Sequence, residues 1–196
     1  FITSDSIIPM NYPFTTTLAH IMLNGGKVIE ILHDDATQIK SDNPFKGNID
    51  IAKLEKVIAE NGVEKIPFIR MEASTNLIGG QPFSVANMRE VRKVADKNGL
   101  MIVLDASLIG ENAYFIKKRE PEFQNSTVAE ILRSMCDLAD IVYFSARKVT
   151  SSRGGGICTN NEALYKTMKP LIPVYEGYFT YGGISVREVD AMAVGM

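Results

Sequence analysis

Tryptophan is absent from the 196 residues, and cysteine and histidine occur only twice each. Two cysteines cannot staple a chain of this size, which excludes a disulfide scaffold. His20 and His33 stand in no metal-ligand spacing. No Ser/His/Asp arrangement and no zinc pattern is present. Gly154–Gly156 is not followed by Gly-Lys-Ser/Thr, so it is not a phosphate-binding P-loop, and no Gly-x-Gly-x-x-Gly follows the early strands. There is no basic excess: 21 Lys+Arg stand against 23 Asp+Glu, a net charge of −2, which argues against a nucleic-acid partner. No run approaches the roughly eighteen apolar residues of a membrane span. No basic, apolar leader is visible, and with so little cysteine the expected compartment is the cytoplasm. The chain starts at Phe1, and Val189–Met196 reads as a helix in mid-course. The expectation is a fragment of a longer polypeptide.

What is present is a core-forming composition, 45% hydrophobic, too apolar for a disordered segment. Short apolar runs alternate with amphipathic stretches. Lys27–Leu32, Ile66–Met71, Leu100–Leu104, Ile141–Phe144 and Gly156–Cys158 read as strands. Leu100–Leu104 is apolar throughout, as suits a strand buried on both faces. Asp50 caps a helix presenting Ile51, Leu54, Val57 and Ile58, stopped by Asn61-Gly62. Ser84 caps a second helix carrying Val85, Met88, Val91 and Ala95, stopped by Asn98-Gly99. Thr127 and Glu130 form a capping box for a third, with Cys136 on its apolar side. Strand and helix alternating at this spacing predicts crossover units, hence one three-layer α/β/α domain around a mainly parallel sheet.

In such sheets ligands bind beyond the carboxyl ends of the strands. Asn76, in Asn76–Pro82, offers a donor and an acceptor there, and also reads as an ordinary turn residue. Asp105 ends a doubly buried strand. It reads equally as a helix cap or as a carboxylate that needs a cationic partner. Ser145-Ala146-Arg147-Lys148 ends the next strand, and the glycines after it would let backbone approach a ligand. Alone, this is a solvated basic turn. Together, a strand-end Asp and, forty residues on, a strand-end Ser-x-x-Lys suit pyridoxal phosphate. The Asp would hold the pyridinium and the Lys would form the Schiff base. Phe14 is a candidate aromatic face, and also a candidate core residue.

The chain resembles the β-eliminating lyases, the pyridoxal-phosphate family of tyrosine phenol-lyase and tryptophanase. The resemblance rests on Phe14–Thr17, Phe45–Asp50, Asn76–Pro82, Glu111–Lys117, Ser145–Lys148, Tyr175–Gly177 and Tyr181–Gly183, in family order along the chain. It implies an aspartate-aminotransferase-type fold, of which this chain would be most of the large domain. A phosphate loop would precede Phe1, and the small domain would lie outside. It implies Lys148 as the Schiff-base lysine, Asp105 on the pyridine nitrogen and Asn76 on the phenolic oxygen. Phe14 would stack on the ring, with Ser145 and Arg147 near the phosphate. Thr15 matches a position that is Thr in tyrosine phenol-lyase and Asp in tryptophanase, favouring the former. A monovalent cation (K+) site near Arg153, where the family has Asn, and a homotetramer are also implied. Two departures stand out: Leu108 and Leu18 replace family arginines. The expected activity is β-elimination on a small-molecule aromatic amino acid, giving pyruvate and ammonia. The alternatives are a non-catalytic or substrate-divergent member, or an α/β phosphate-binding domain of another kind.

Overall fold

The computed structural model describes residues 1–196. Six strands form one sheet: β1 (Ile7–Met10), β2 (Lys27–Glu30), β3 (Phe68–Glu72), β4 (Met101–Asp105), β5 (Ile141–Ser145) and β6 (Gly155–Cys158), in the order β2-β1-β3-β4-β5-β6. The first five run parallel, and β6 closes the edge antiparallel to β5. The helices are α1 (Thr15–Leu23), α2 (Ile51–Asn61), α3 (Val85–Asn98), α4 (Ile109–Arg119), α5 (Val128–Cys136), the short α6 (Ala146–Val149), α7 (Glu162–Met168), α8 (Ile172–Tyr175), α9 (Tyr178–Tyr181) and α10 (Val186–Gly195). No helix is long and apolar enough to cross a membrane.

The predicted caps are the observed ones. Asp50 accepts from the Lys53 N–H and Ser84 from the Asn87 N–H. Thr127 and Glu130 form the reciprocal capping box. Gly62 and Gly99, both at positive φ, terminate α2 and α3. The main core joins one sheet face to α2–α5, with Ile69, Met71, Ile102 and Leu104 pointing into it. Cys136 packs half-buried at its margin, while Cys158 is exposed on β6. A smaller cluster of Ile8, Met10 and Ile21 lies under α1.

Among the elements that carry no sequence expectation are β1 and α1. Pro9 sits inside β1, and proline normally argues against a central strand. The structure accommodates it because β1 meets β3 at one pair only, Met10↔Arg70. The side chain of Asn11 supplies the bonds that this short ladder lacks. Asn11 Oδ1 accepts from the Tyr12 and Glu72 N–H groups, and Nδ2 donates to the Gly47 and Glu72 carbonyls. Asn11 is fully buried.

The glycine run after Lys148 permits close packing within the chain. A Cβ on Gly155 would collide with the Phe144 carbonyl, on Gly156 with the Phe144 ring and on Gly154 with Ile184. These glycines let β6 close against β5 and the C-terminal segment close over both. Asn11→Ala strips partners from the buried N–H of Glu72 and the half-buried N–H of Tyr12, and should cost about 3 kcal/mol in urea unfolding. A loss below about 1 kcal/mol would contradict the stapling role.

Candidate active site

Period-two alternation sorts the strand residues by face. Arg70 and Glu72 lie on the same face of β3, opposite the main core. Register then places Asp105 beside Glu72 and Tyr143 beside Asp105. Three adjacent strand ends thus deliver four polar side chains to one spot.

Arg70 is 1% exposed and Asp105 6%. One guanidinium nitrogen, Nη2, donates to Asp105 Oδ2 at 2.5 Å and to Glu72 Oε2 at 3.0 Å. Nε donates to the Tyr143 hydroxyl at 2.8 Å. Nη1 donates to the Tyr12 carbonyl at 3.3 Å and lies 3.9 Å from Met10 Sδ. All five donors of the fork therefore have partners. Tyr143 in turn donates to Asp105 Oδ2 at 2.9 Å. Asp105 Oδ1 accepts from the Ser107 N–H at 3.0 Å, which leaves that oxygen one free lone pair. Glu72 Oε1 accepts from the Asn76 N–H at 3.0 Å.

Burial works to strip Arg70 of its proton, but Tyr143, Asp105 and Glu72 outweigh it and raise its pKa. Burial pushes the Tyr143 phenol up from 10.0 to about 12, with Asp105 adding to the effect against Arg70. Tyr143 thus stays a neutral donor. Two carboxyl groups against one guanidinium leave the cluster one cation short, a formal imbalance that a low-polarity wall makes costly.

This wall faces a cavity of about 280 Å³ beyond the carboxyl ends of β3, β4 and β5. Phe14, Glu72, Asp105, Leu108, Ser145 and Lys148 are among its lining residues. The lysine Nζ stands 4.5 Å from the centre of the Phe14 ring, a cation–π contact that holds the amine over the phenyl face. Four of the residues singled out from the sequence therefore meet here: Phe14, Asp105, Ser145 and Lys148. Leu108 lies in the wall itself, while Leu18 is on α1.

Other residues singled out from the sequence stand outside the lining. Asn76 is exposed on the turn after β3, beside Glu72; Arg147 is exposed on α6; Thr15 is exposed at the start of α1, next to the lining residues Thr16 and Thr17. Arg153 is exposed, with its N–H donating to Glu188. No group of three or more His, Cys, Asp or Glu side chains is placed to hold a metal. Ser74 and Ser151, the two non-glycine residues at positive φ, follow β3 and Lys148. Backbone strain of this kind concentrates at functional sites.

The longest motif stretches do a different job. Asn112 is fully buried, accepts from the Ser74 and Phe83 N–H groups and donates to the Phe83 carbonyl. Asn48 accepts from the Ser84 N–H, and Glu120 accepts from those of Val85 and Ala86. These side chains fix the turn that bears Asn76 and the start of α3.

The profile of the Beta-eliminating lyase family matches residues 4–185. The chain belongs to the beta-eliminating lyase family. It is 43% identical over 190 residues to a tyrosine phenol-lyase of Pasteurella multocida, a match covering 96% of this chain and 42% of that protein. To a tyrosine phenol-lyase of Symbiobacterium sp. it is 42% identical over the same length, again 96% of this chain and 42% of the relative. The chain thus spans less than half the length of these curated relatives. Among solved structures, a threonine aldolase of Leishmania major superposes with a TM-score of 0.59 at 18% identity, covering 86% of this chain and 44% of that one. At that identity the likeness bears on the fold alone, and it agrees with the mainly parallel α/β architecture.

Because folding raises the Tyr143 pKa, the stability it contributes is complete below pH 10 and is lost as pH rises through about 12. Thermal melts of wild type and Tyr143→Phe across that range should diverge below pH 10 and converge above 12. Parallel curves throughout would contradict the assignment.

Proposed function

We propose that the chain forms the cofactor-holding part of a pyridoxal-phosphate-dependent carbon–carbon lyase. It would release the aromatic group of an amino acid, tyrosine in preference to tryptophan, with pyruvate and ammonia as the other products. One observation carries the reading: Lys148 and Asp105 face the same cavity, with Phe14 beneath the lysine amine. Membership of the beta-eliminating lyase family and the 42–43% identity to two tyrosine phenol-lyases support it. The preference for tyrosine rests on Thr15.

The residues present fit the cofactor chemically. The Arg70–Glu72–Asp105 cluster is one cation short at the cavity wall, and Asp105 Oδ1 keeps a free lone pair towards a protonated ring nitrogen. When bound, pyridoxal phosphate supplies an electron-poor ring that stabilises negative charge at the α-carbon of an amino acid. Lys148 would hold the cofactor through its amine, and the same Nζ would take and hold the α-proton of the amino acid. Asp105 would hold a proton on the ring nitrogen. Phe14 offers a flat apolar face that also excludes water. Asn76 would meet the phenolic oxygen, and Ser145 and Arg147 the phosphate. Leu108, in the wall where the family has arginine, brings no hydrogen-bond donor to the cavity. A homotetramer, and a monovalent cation near the backbone of Arg153, belong to the same proposal for the full-length enzyme.

Borohydride reduction of the full-length protein with pyridoxal phosphate should leave a pyridoxyl group on the Lys148 peptide, read by mass. Lys148→Ala should lose the adduct and release pyruvate from tyrosine about a hundredfold or more slowly. An adduct confined to another lysine, or unchanged turnover in Lys148→Ala, would overturn the assignment.

A further inference from the structure

We infer that Arg70 is a positioning residue that sets both edges of the cofactor ring at once. The inference rests on the cofactor reading above. Its own ground is connectivity. Nη2 of Arg70 is bonded to Asp105 Oδ2 and to Glu72 Oε2, and the other oxygen of Glu72 accepts the backbone N–H of Asn76. Asp105 is the residue assigned to the ring nitrogen, and Asn76 the one assigned to the phenolic oxygen. These groups lie on separate edges of the pyridine ring, and the two residues come from different strand ends. A single guanidinium, through one carboxylate on each side, fixes the distance between them.

Electrostatics point the same way. Arg70 occupies Asp105 Oδ2 together with Tyr143, while Ser107 takes one position on Oδ1. The carboxylate can neither rotate nor turn its engaged oxygen to the cavity, so only the remaining Oδ1 lone pair is available to a ligand. Without Glu72, Arg70 and Asp105 would form a neutral pair with no call on a further cation. With Glu72, the cluster retains one negative charge for the ring nitrogen.

The geometry uses every donor of a planar fork on five different acceptors. Lysine has three donors on one atom and cannot span them. Arg70→Lys keeps the charge and loses the span, so it separates positioning from simple neutralisation.

The test is equilibrium binding of three ligands to the full-length protein: pyridoxal phosphate, its analogue with CH in place of the ring nitrogen, and its analogue without the phenolic hydroxyl. Wild type should bind each analogue about tenfold or more weakly than the cofactor, the worth of one hydrogen bond to a charged group. Arg70→Lys should lose most of both preferences, binding the three ligands within about threefold of one another. Glu72→Leu, which cuts the link to Asn76 and removes the surplus negative charge of the cluster, should lose the preference for the phenolic hydroxyl and weaken that for the ring nitrogen. A purely structural arginine would weaken all three ligands equally and leave both ratios at the wild-type value. That result in folded Arg70→Lys, or in Glu72→Leu should the lysine variant fail to fold, overturns the inference. A wild type that binds all three ligands alike overturns the roles of Asp105 and Asn76 themselves, and the inference with them.

Discussion

A single buried guanidinium organises the carboxyl end of this sheet. Arg70 enters from the middle of β3, where a charged side chain is normally excluded, and has a partner for each of its donors. The bonds reach β1 through Met10 and the segment just after it through the Tyr12 carbonyl, β4 through Asp105 and β5 through Tyr143. Taking two carboxyl groups and a guanidinium out of water is expensive, and such clusters rarely add net stability. Its value here is geometric. The alternatives, an apolar residue at 70 or a free Asp105, would leave a buried carboxylate unpaired or able to rotate.

Around this cluster the labour is divided. Apart from Phe14, Thr16 and Thr17 at the start of α1, the cavity wall is built from residues that end strands or closely follow them, so their positions are inherited from sheet register. The turns that surround the wall are held by Asn11, Asn48, Asn112 and Glu120, whose side chains stand in for backbone partners. Lys148 sits on the short helix α6, held in place by the close approach of β6 to β5, which glycine at 155 and 156 permits.

Much of this was legible in the sequence, for physical reasons that can be named. Parallel strands bring their carboxyl ends together, so Asp105, Ser145 and Lys148 could be expected at one place once the strands were recognised. The caps at Asp50, Ser84 and Thr127 are local chemistry, and local chemistry is written locally. The strand β1 was not legible, because Pro9 masks a ladder that Asn11 completes from outside the strand. Arg70, Glu72 and Tyr143 were missed for another reason. Their association depends on the mutual register of three strands, which no single segment records. The available signal was the pair of charges two apart in Phe68–Glu72, on one face of a strand otherwise fit for burial. The motif residues Asn112 and Asn48 pointed to the family, yet they brace the site and do not line it.

Everything proposed for this site turns on whether Asp105, held by Arg70, meets the ring nitrogen of a cofactor bonded to Lys148. A crystal structure of the full-length protein loaded with pyridoxal phosphate answers this. The ring nitrogen should be hydrogen-bonded to Asp105 Oδ1, with Arg70 still bound to Oδ2. A cofactor attached to Lys148 with its nitrogen turned away from Asp105, or an Arg70 displaced from the carboxylate, would contradict it.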